Sequence, residues 1–252
     1  MPAPEVDAGP ALARGALAGP FFAVERRSGG AGWRPATDLL EDSGALAERF
    51  AAGATVLARA SGCEEHALDR RAVVSVVSLG LLARLLSPPL AAVALGGVLP
   101  HWSLASLWWQ PASGGPWPLS TGVTSGDEVG DVARADARRA AVELITSTVV
   151  EGVLAPVVRR VSEDFSLSRR VLWGNVASAT GGATDQLVAA DPARRDAFLA
   201  LRDGLLARGP LAGSMWPDHP VPRLQGGARR RRSCCLFYRV PAGGYCADCV
   251  LA

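Results

Sequence analysis

The feature that most limits what this chain can be is a set of closely spaced cysteines. Cys234 and Cys235 are adjacent, ten residues intervene, and Cys246 and Cys249 complete the pattern C-C-x10-C-x2-C. Four of the five cysteines fall in that stretch. Thiols crowded this way are reactive, so they call for a metal, a pair of disulfides or a redox relay. The opening Met-Pro-Ala-Pro-Glu-Val-Asp lacks the basic stretch and apolar run of a secretory signal. The expected setting is therefore the cytoplasm, where structural disulfides are rare and clustered cysteines serve metals or redox work.

Structural zinc modules set thiolates in C-x2-C knuckles that wrap one tetrahedral ion. Cys246 and Cys249 have that spacing, but Cys234 and Cys235 are neighbours, and neighbouring side chains of an extended chain point to opposite sides. Both reach one small centre only if the backbone turns between them. A two-iron cluster divides four cysteines between two metals and accepts more varied spacing, which gives iron–sulfur a narrow preference over zinc on chemistry alone. Between the pairs, Leu236–Val240 reads as a strand and Pro241-Ala-Gly-Gly244 as a turn, so the chain folds back and brings Cys246 near Cys235. Both tyrosines, Tyr238 and Tyr245, lie here with Phe237, placed to pack the module against the main domain and to limit water at a cluster. The run Arg229–Arg232 reads either as a solvated basic stretch or as positive charge beside an anionic cluster, able to receive an acidic electron donor.

The remaining chain is long enough for a sizeable core. Of 252 residues 49% are hydrophobic and 20% charged, which excludes a disordered polypeptide. All 26 cations are arginine, a compositional bias, and the formal charge of +2 lacks the patterned excess of a nucleic-acid-binding protein. Helices are expected over 44–52, 64–86 (broken at Pro88-Pro89), 90–95, 129–163 (bent at Pro156), 166–190 and from Asp191-Pro192 to Gly209. Phe21–Glu25 and Trp33–Arg34 read as short partner strands, and Leu104–Gln110 and Pro118–Val123 as antiparallel neighbours. The apolar stretch Ala72–Ala83 is too short to span a bilayer and reads as a buried helix. The architecture expected is α+β: a helix-dominated main domain with a small antiparallel sheet and a small C-terminal cysteine module. Its boundaries are a variable N-terminal segment over 1–40, a helix-rich domain over 41–227 and the module over 228–252, with the Pro- and Gly-rich stretch Met215–Gly227 as linker.

The pattern C-C-x10-C-x2-C resembles the 2Fe–2S motif of ferric siderophore reductases of the FhuF type. The likeness includes Arg232-Ser-Cys-Cys235, the following Tyr238-Arg239 and Cys246-Ala-Asp-Cys249. In the body it extends to Leu172-Trp-Gly-Asn-Val-Ala-Ser178 and to the apolar helix before Pro88 that leads to a tryptophan-bearing segment. The resemblance implies that Cys234, Cys235, Cys246 and Cys249 ligate a 2Fe–2S cluster. It implies a cytoplasmic enzyme that delivers one electron to Fe(III) held by an imported siderophore, often a hydroxamate. Hard oxygen ligands hold Fe(II) far more weakly, so reduction releases the iron. Gly30-Ala-Gly32 runs into Trp33-Arg34-Pro35 and frames no G-x-G-x-x-G, and no P-loop is present. Electrons are therefore expected from a separate donor protein, ferredoxin-like or flavin-reductase-like. Two other readings stand beside this one: a non-enzymatic 2Fe–2S electron carrier or iron and redox sensor, and a zinc-stabilised four-cysteine binding protein. Peripheral membrane contact is not indicated, because the mean hydropathy of +0.18 follows from Ala, Val and Leu.

The lesser candidates have simpler explanations. Cys63 and His66 form C-x2-H beside Glu64 and Glu65, but carboxylates are favoured at a helix start and the pair reads as a lone surface cysteine and histidine. His101 and His219 have no partner at ligand spacing. Trp102, Trp108, Trp109 and Trp117 read as core before pocket. Asn175 reads as a residue that specifies the fold before one that touches substrate.

Overall fold

Asp69 starts the longest helix of the protein. Its carboxylate accepts hydrogen bonds from the amides of Arg71 and Ala72 at 2.8 and 3.2 Å, satisfying two of the free N–H groups of a first turn. The helix then runs from Arg70 to Gly96, and Gly97, at φ +68°, ends it in the left-handed conformation that glycine adopts without strain. In the computed structural model, which describes residues 5–27, 29–112, 115–220 and 229–251, every layer is built against this helix or its neighbour.

The chain order begins with β1 (Glu5–Asp7), α1 (Gly9–Ala16), β2 (Glu25–Arg26), β3 (Arg34–Pro35), α2 (Asp38–Glu41), α3 (Ser43–Ser61) and the long helix, α4. Four short strands follow: β4 (Val98–Pro100), β5 (Leu107–Trp109), β6 (Leu119–Thr121) and β7 (Ser125–Glu128). Next come α5 (Ala135–Ile145), a π-helical stretch (Thr146–Leu154) and α6 (Ala155–Phe165). The chain continues with α7 (Arg169–Ala190), α8 (Arg195–Leu206), β8 (Met215–Pro220) and β9 (Arg229–Arg231). The strands form three small sheets, ordered β1-β7-β4, β2-β6-β5-β3 and β8-β9. All pairs are antiparallel except β2 with β6. The protein is thus α+β and helix-dominated, as the residue pattern indicates.

The largest departure from expectation is at Pro88-Pro89, which does not break α4. Pro89 has no amide to offer the carbonyl of Leu85 one turn back, which would ordinarily be a costly loss inside a helix. The indole of Trp102 donates to that carbonyl instead, at 2.9 Å, and the hydroxyl of Ser87 donates to Ala83 at 2.7 Å. Continuation through the prolines makes α4 long and apolar enough to cross a membrane, as is the stretch Ala135–Phe165. Within the most apolar window of α4, however, 78% is buried inside the protein, which marks it as a core helix here. We expect Trp102→Phe to leave the Leu85 carbonyl unpaired and to lower stability by about 1–3 kcal/mol. Urea unfolding measures this, with the partly exposed Trp108→Phe expected to change little.

Residues 5–27 and 29–40 are tied into the body of the fold. β1 pairs with β7, and α1 packs so closely along α4 that a Cβ on Gly96 would lie 2.5 Å from that of Ala11. The strands near residues 25 and 34 do not pair with each other. They occupy opposite edges of the second sheet, with β6 and β5 between them. The cause lies in Arg84 of α4, which is buried and donates to the carbonyls of Trp117 (2.6 Å), Phe21 (2.8 Å) and Ala23. That guanidinium holds residues 21–23 in place, so pairing begins only at Glu25. Burial among carbonyls without a carboxylate pushes its pKa down to about 10. β5 and β6 are antiparallel neighbours as expected, with Leu107 opposite Thr121 and Trp109 opposite Leu119.

Other helices differ mainly at their limits. α3 runs nine residues past Ala52 to Ser61, capped by the Asp42 carboxylate on the Gly44 amide at 2.8 Å. Residues 125–128, next to the start of the helix expected from 129, are taken by β7, and α5 starts at Ala135. Pro156 lies just after the π-helical stretch, inside a helix that runs on from Ala135 to Phe165, and a π-helical stretch is where an α-helical hydrogen-bond pattern is already interrupted. Met215–Pro220, expected as linker, is a strand, and the rest of that stretch lies outside the described residues.

Candidate metal centre

The cysteine module is built on β9. Met215 pairs with Arg231, the Arg232 amide donates to the Ser214 carbonyl at 2.9 Å, and the Arg231 amide donates to the Asp248 carbonyl at 3.0 Å. The last contact closes the module on itself, because Asp248 lies between two of the cysteines. Arg231 does not point into solvent. Its side chain is 1% exposed, and its Nη2 donates to Oδ1 of Asn175 on α7 at 2.5 Å. Asn175 is itself fully buried and donates through Nδ2 to the carbonyl and hydroxyl of Ser75 on α4, at 2.8 and 3.2 Å. One amide side chain thus ties α4, α7 and the module together, the fold-specifying role its position suggested.

A second close approach lies one residue earlier. A Cβ on Gly174 would stand 2.1 Å from the Ser233 hydroxyl, so glycine lets the module settle on α7 here without that hydroxyl having to turn away. The segment Leu172–Ser178, in which the sequence likeness to FhuF-type proteins extends into the body, therefore includes the face on which the cysteine module docks. A third tie is made by Arg239, whose Nη1 lies 3.0 Å from the Asp69 carboxylate that caps α4.

The arginine run is accordingly a structural element and not a solvated stretch. Besides Arg231, Arg229 pairs with Asp203 at 3.0 Å, Arg232 lies 3.9 Å over the ring of Trp216, and Arg170 donates to the Arg232 carbonyl at 3.2 Å. The segment after the first cysteine pair is also not a strand. Leu236 adopts φ +65°, a single 3-10 turn covers Phe237–Arg239, and Ala242 takes φ +55° in the turn that follows. The chain doubles back as expected, but through turns, because the adjacent cysteines need the backbone to bend at once. Tyr238 and Tyr245 point outward and are 42% and 63% exposed, so neither packs the module nor shields it.

This path brings the thiols together. Cys235 and Cys249 are buried, Cys234 and Cys246 partly so, and Sγ of Cys235 lies 3.4 Å from Sγ of Cys246. The amide of Leu236 donates to Sγ of Cys234, and that of Leu251 to Sγ of Cys249, each at 3.3 Å. Such amides stabilise sulfur that carries negative charge. The thiols are electrostatically unequal. The hydrogen bond from Cys246, helped by the Phe237 amide and the Arg231 charge against the effect of burial, holds the Cys235 thiol down at about 6. The same bond, with burial and the nearby Asp248 carboxylate, pushes Cys246 up. Burial also raises Cys234, partly offset by the Leu236 amide.

The other sequence candidates stay apart from this centre. Cys63 follows the end of α3, with His66 exposed in the next turn. His101 contacts the Ser125 hydroxyl at 3.1 Å and the Asp127 carboxylate at 3.7 Å. His219 lies in β8, and its side chain is outside the described residues. Among the described residues no group of three or more His, Cys, Asp or Glu side chains is gathered tightly enough to hold a single metal ion. Sequence reasoning passed over Asp248 and Gly174, whereas Arg231 was read within the basic run, one reading of which put its charge beside the cluster. The signal for Gly174 was present, a glycine inside a helical run with no turn to explain it.

Residues 231–251 match the sequence model of the FhuF 2Fe-2S C-terminal domain. No curated protein matches the chain. The protein is thus an iron–sulfur protein with a FhuF-type domain, and its cofactor is a 2Fe–2S cluster, not zinc. The donor set fits that group: four soft thiols, two of them held by backbone amides and two in contact with each other, beside a buried cation.

Proposed function

We propose that this protein is a ferric-siderophore reductase of the cytoplasm, accepting electrons from a separate donor protein and passing them singly to Fe(III) in a hydroxamate siderophore. The observation that carries the reading is the match of residues 231–251 to the FhuF 2Fe–2S domain, within which Cys235 meets Cys246 and buried Arg231 stands beside Cys234 and Cys235. In this reading Cys234, Cys235, Cys246 and Cys249 hold the cluster. When bound, the cluster supplies a one-electron carrier. The chain's residues set the conditions around it. The Leu236 and Leu251 amides draw charge from the sulfurs of Cys234 and Cys249, and Arg231 places a cation beside Cys234 and Cys235. Each favours the more negative, reduced form. Burial of Cys235 and Cys249 keeps water from one side of the module, and the partly open Cys234 and Cys246 leave the other side within reach.

The substrate gains one electron, Fe(III) becomes Fe(II), and the oxygen ligands then release it because they bind the softer, less charged ion weakly. No covalent bond of the siderophore is broken, so no general acid, base or nucleophile is needed. The test uses anaerobically purified protein, reduced and freed of reductant, then mixed with a ferric trihydroxamate and a ferrous-specific chelator. The expected result is saturable formation of the coloured ferrous complex with return of the oxidised visible spectrum. A cluster that stays reduced before every ferric chelate tried makes the protein a carrier or sensor instead.

A further inference from the structure

Glycine weakens a helix relative to alanine, so a helical glycine calls for a reason. Five of them have one: a Cβ at Gly9, Gly53, Gly96, Gly174 or Gly204 would come within 2.1 to 2.7 Å of a neighbour. Gly80 of α4 and Gly181 and Gly182 of α7 have none, for a Cβ at each meets nothing within 4 Å. These three line two adjoining cavities. One, of about 290 Å³, is bordered by Gly181, Gly182 and by Cys246 of the cysteine module. The other, of about 430 Å³, lies between Gly80 and Gly182 and reaches Phe21. Ser178 and Gly182 belong to both, so the two form one groove along α7 that ends at a cluster cysteine.

The two ends differ in character. No charged side chain lines the larger cavity. In the smaller one, Oδ1 of Asp185 is buried without a hydrogen-bond partner among the described residues, free to accept from an N–H or O–H of a bound molecule. Arg202, Arg229 and Asp248 border this smaller cavity as well, so the charged groups of the groove are gathered at the end beside Cys246.

We infer that this groove seats the ferric chelate, with its organic frame over Gly80 and Gly182 and its iron toward Cys246. The inference rests on the reductase reading and adds where the substrate sits. The two together reach a size typical of small-molecule sites.

The probe is the gallium(III) complex of a cyclic trihydroxamate, an uncharged copy of the ferric complex that cannot be reduced. Binding to the cluster-loaded protein is measured by calorimetry, and hydrogen exchange of the wild type maps it without any variant. The expected result is protection of residues 176–186 and 78–83, with binding at least about tenfold weaker in Gly182→Leu and Gly80→Leu, which project into the groove from opposite walls. Cys63→Ser, which lies outside both cavities, leaves binding within about twofold. The visible spectrum of each variant reports an intact module. Protection elsewhere, or wild-type affinity in both leucine variants, overturns the seat. If the wild type still reduces the ferric complex in that case, the reductase reading survives. A wild type that neither binds gallium chelate nor reduces ferric chelate overturns both.

Discussion

Cys235→Ser is expected to remove the visible absorption and the reduced-state EPR signal of the protein, and to take its iron content from about two per chain to near zero. Cys235 is buried, stands 3.4 Å from Cys246 and has the lowest thiol pKa of the shifted set, so it is the sulfur most ready to bind metal as thiolate. A serine oxygen is harder, far less acidic and shorter in reach. Cys63→Ser provides the contrast, since Cys63 lies outside the module and its loss leaves spectrum and iron count unchanged. Iron and sulfide analysis with EPR after dithionite decides the matter. Bleaching by the Cys63 change with a normal spectrum in the Cys235 variant would reverse the ligand assignment.

Arg231→Leu is expected to be the most damaging change outside the cysteines. It leaves the Asn175 Oδ1 without its donor and the largely buried Asp248 without a nearby cation at 3.9 Å. Stranding buried polar partners in this way costs on the order of 3–5 kcal/mol, measurable as a drop in the denaturant midpoint. The change also removes positive charge from beside Cys234 and Cys235, which destabilises the reduced state and shifts the midpoint potential downward. Arg231→Lys separates the two roles. It keeps the charge and with it most of the potential, but it lacks the planar fork that reaches Asn175, so stability recovers only in part. A potential that does not move in Arg231→Leu would leave this residue a purely structural anchor.

Much of the module's chemistry was legible in the cysteine spacing, and the reason is local. C-C-x10-C-x2-C with a glycine-containing turn between the pairs forces a return of the chain whatever the rest does, and Cys235 does meet Cys246. α7, α8 and the β5–β6 pair were legible for the same reason, because caps, periodicity and β-branched or aromatic runs are properties of neighbours in sequence. What stayed hidden depends on distant partners. Pro88-Pro89 reads as a stop until Trp102 supplies the missing donor. Four consecutive arginines leave a solvated run and a charge beside the cluster as rival readings until Asn175, Asp203 and Trp216 take three of them. The strands near residues 25 and 34 read as partners until the buried Arg84 pins residues 21–23.

The anchoring of the module on Ser75, Asn175 and Asp69 also has a consequence for the order of events during synthesis. All three positions leave the ribosome well before Cys234, and domains tend to fold as their residues emerge. The thiols therefore emerge after the residues that seat them. A reactive four-thiol segment that docks at once spends little time open to oxidation or to the wrong metal, and the step that loads iron and sulfide then acts on a seat already in place.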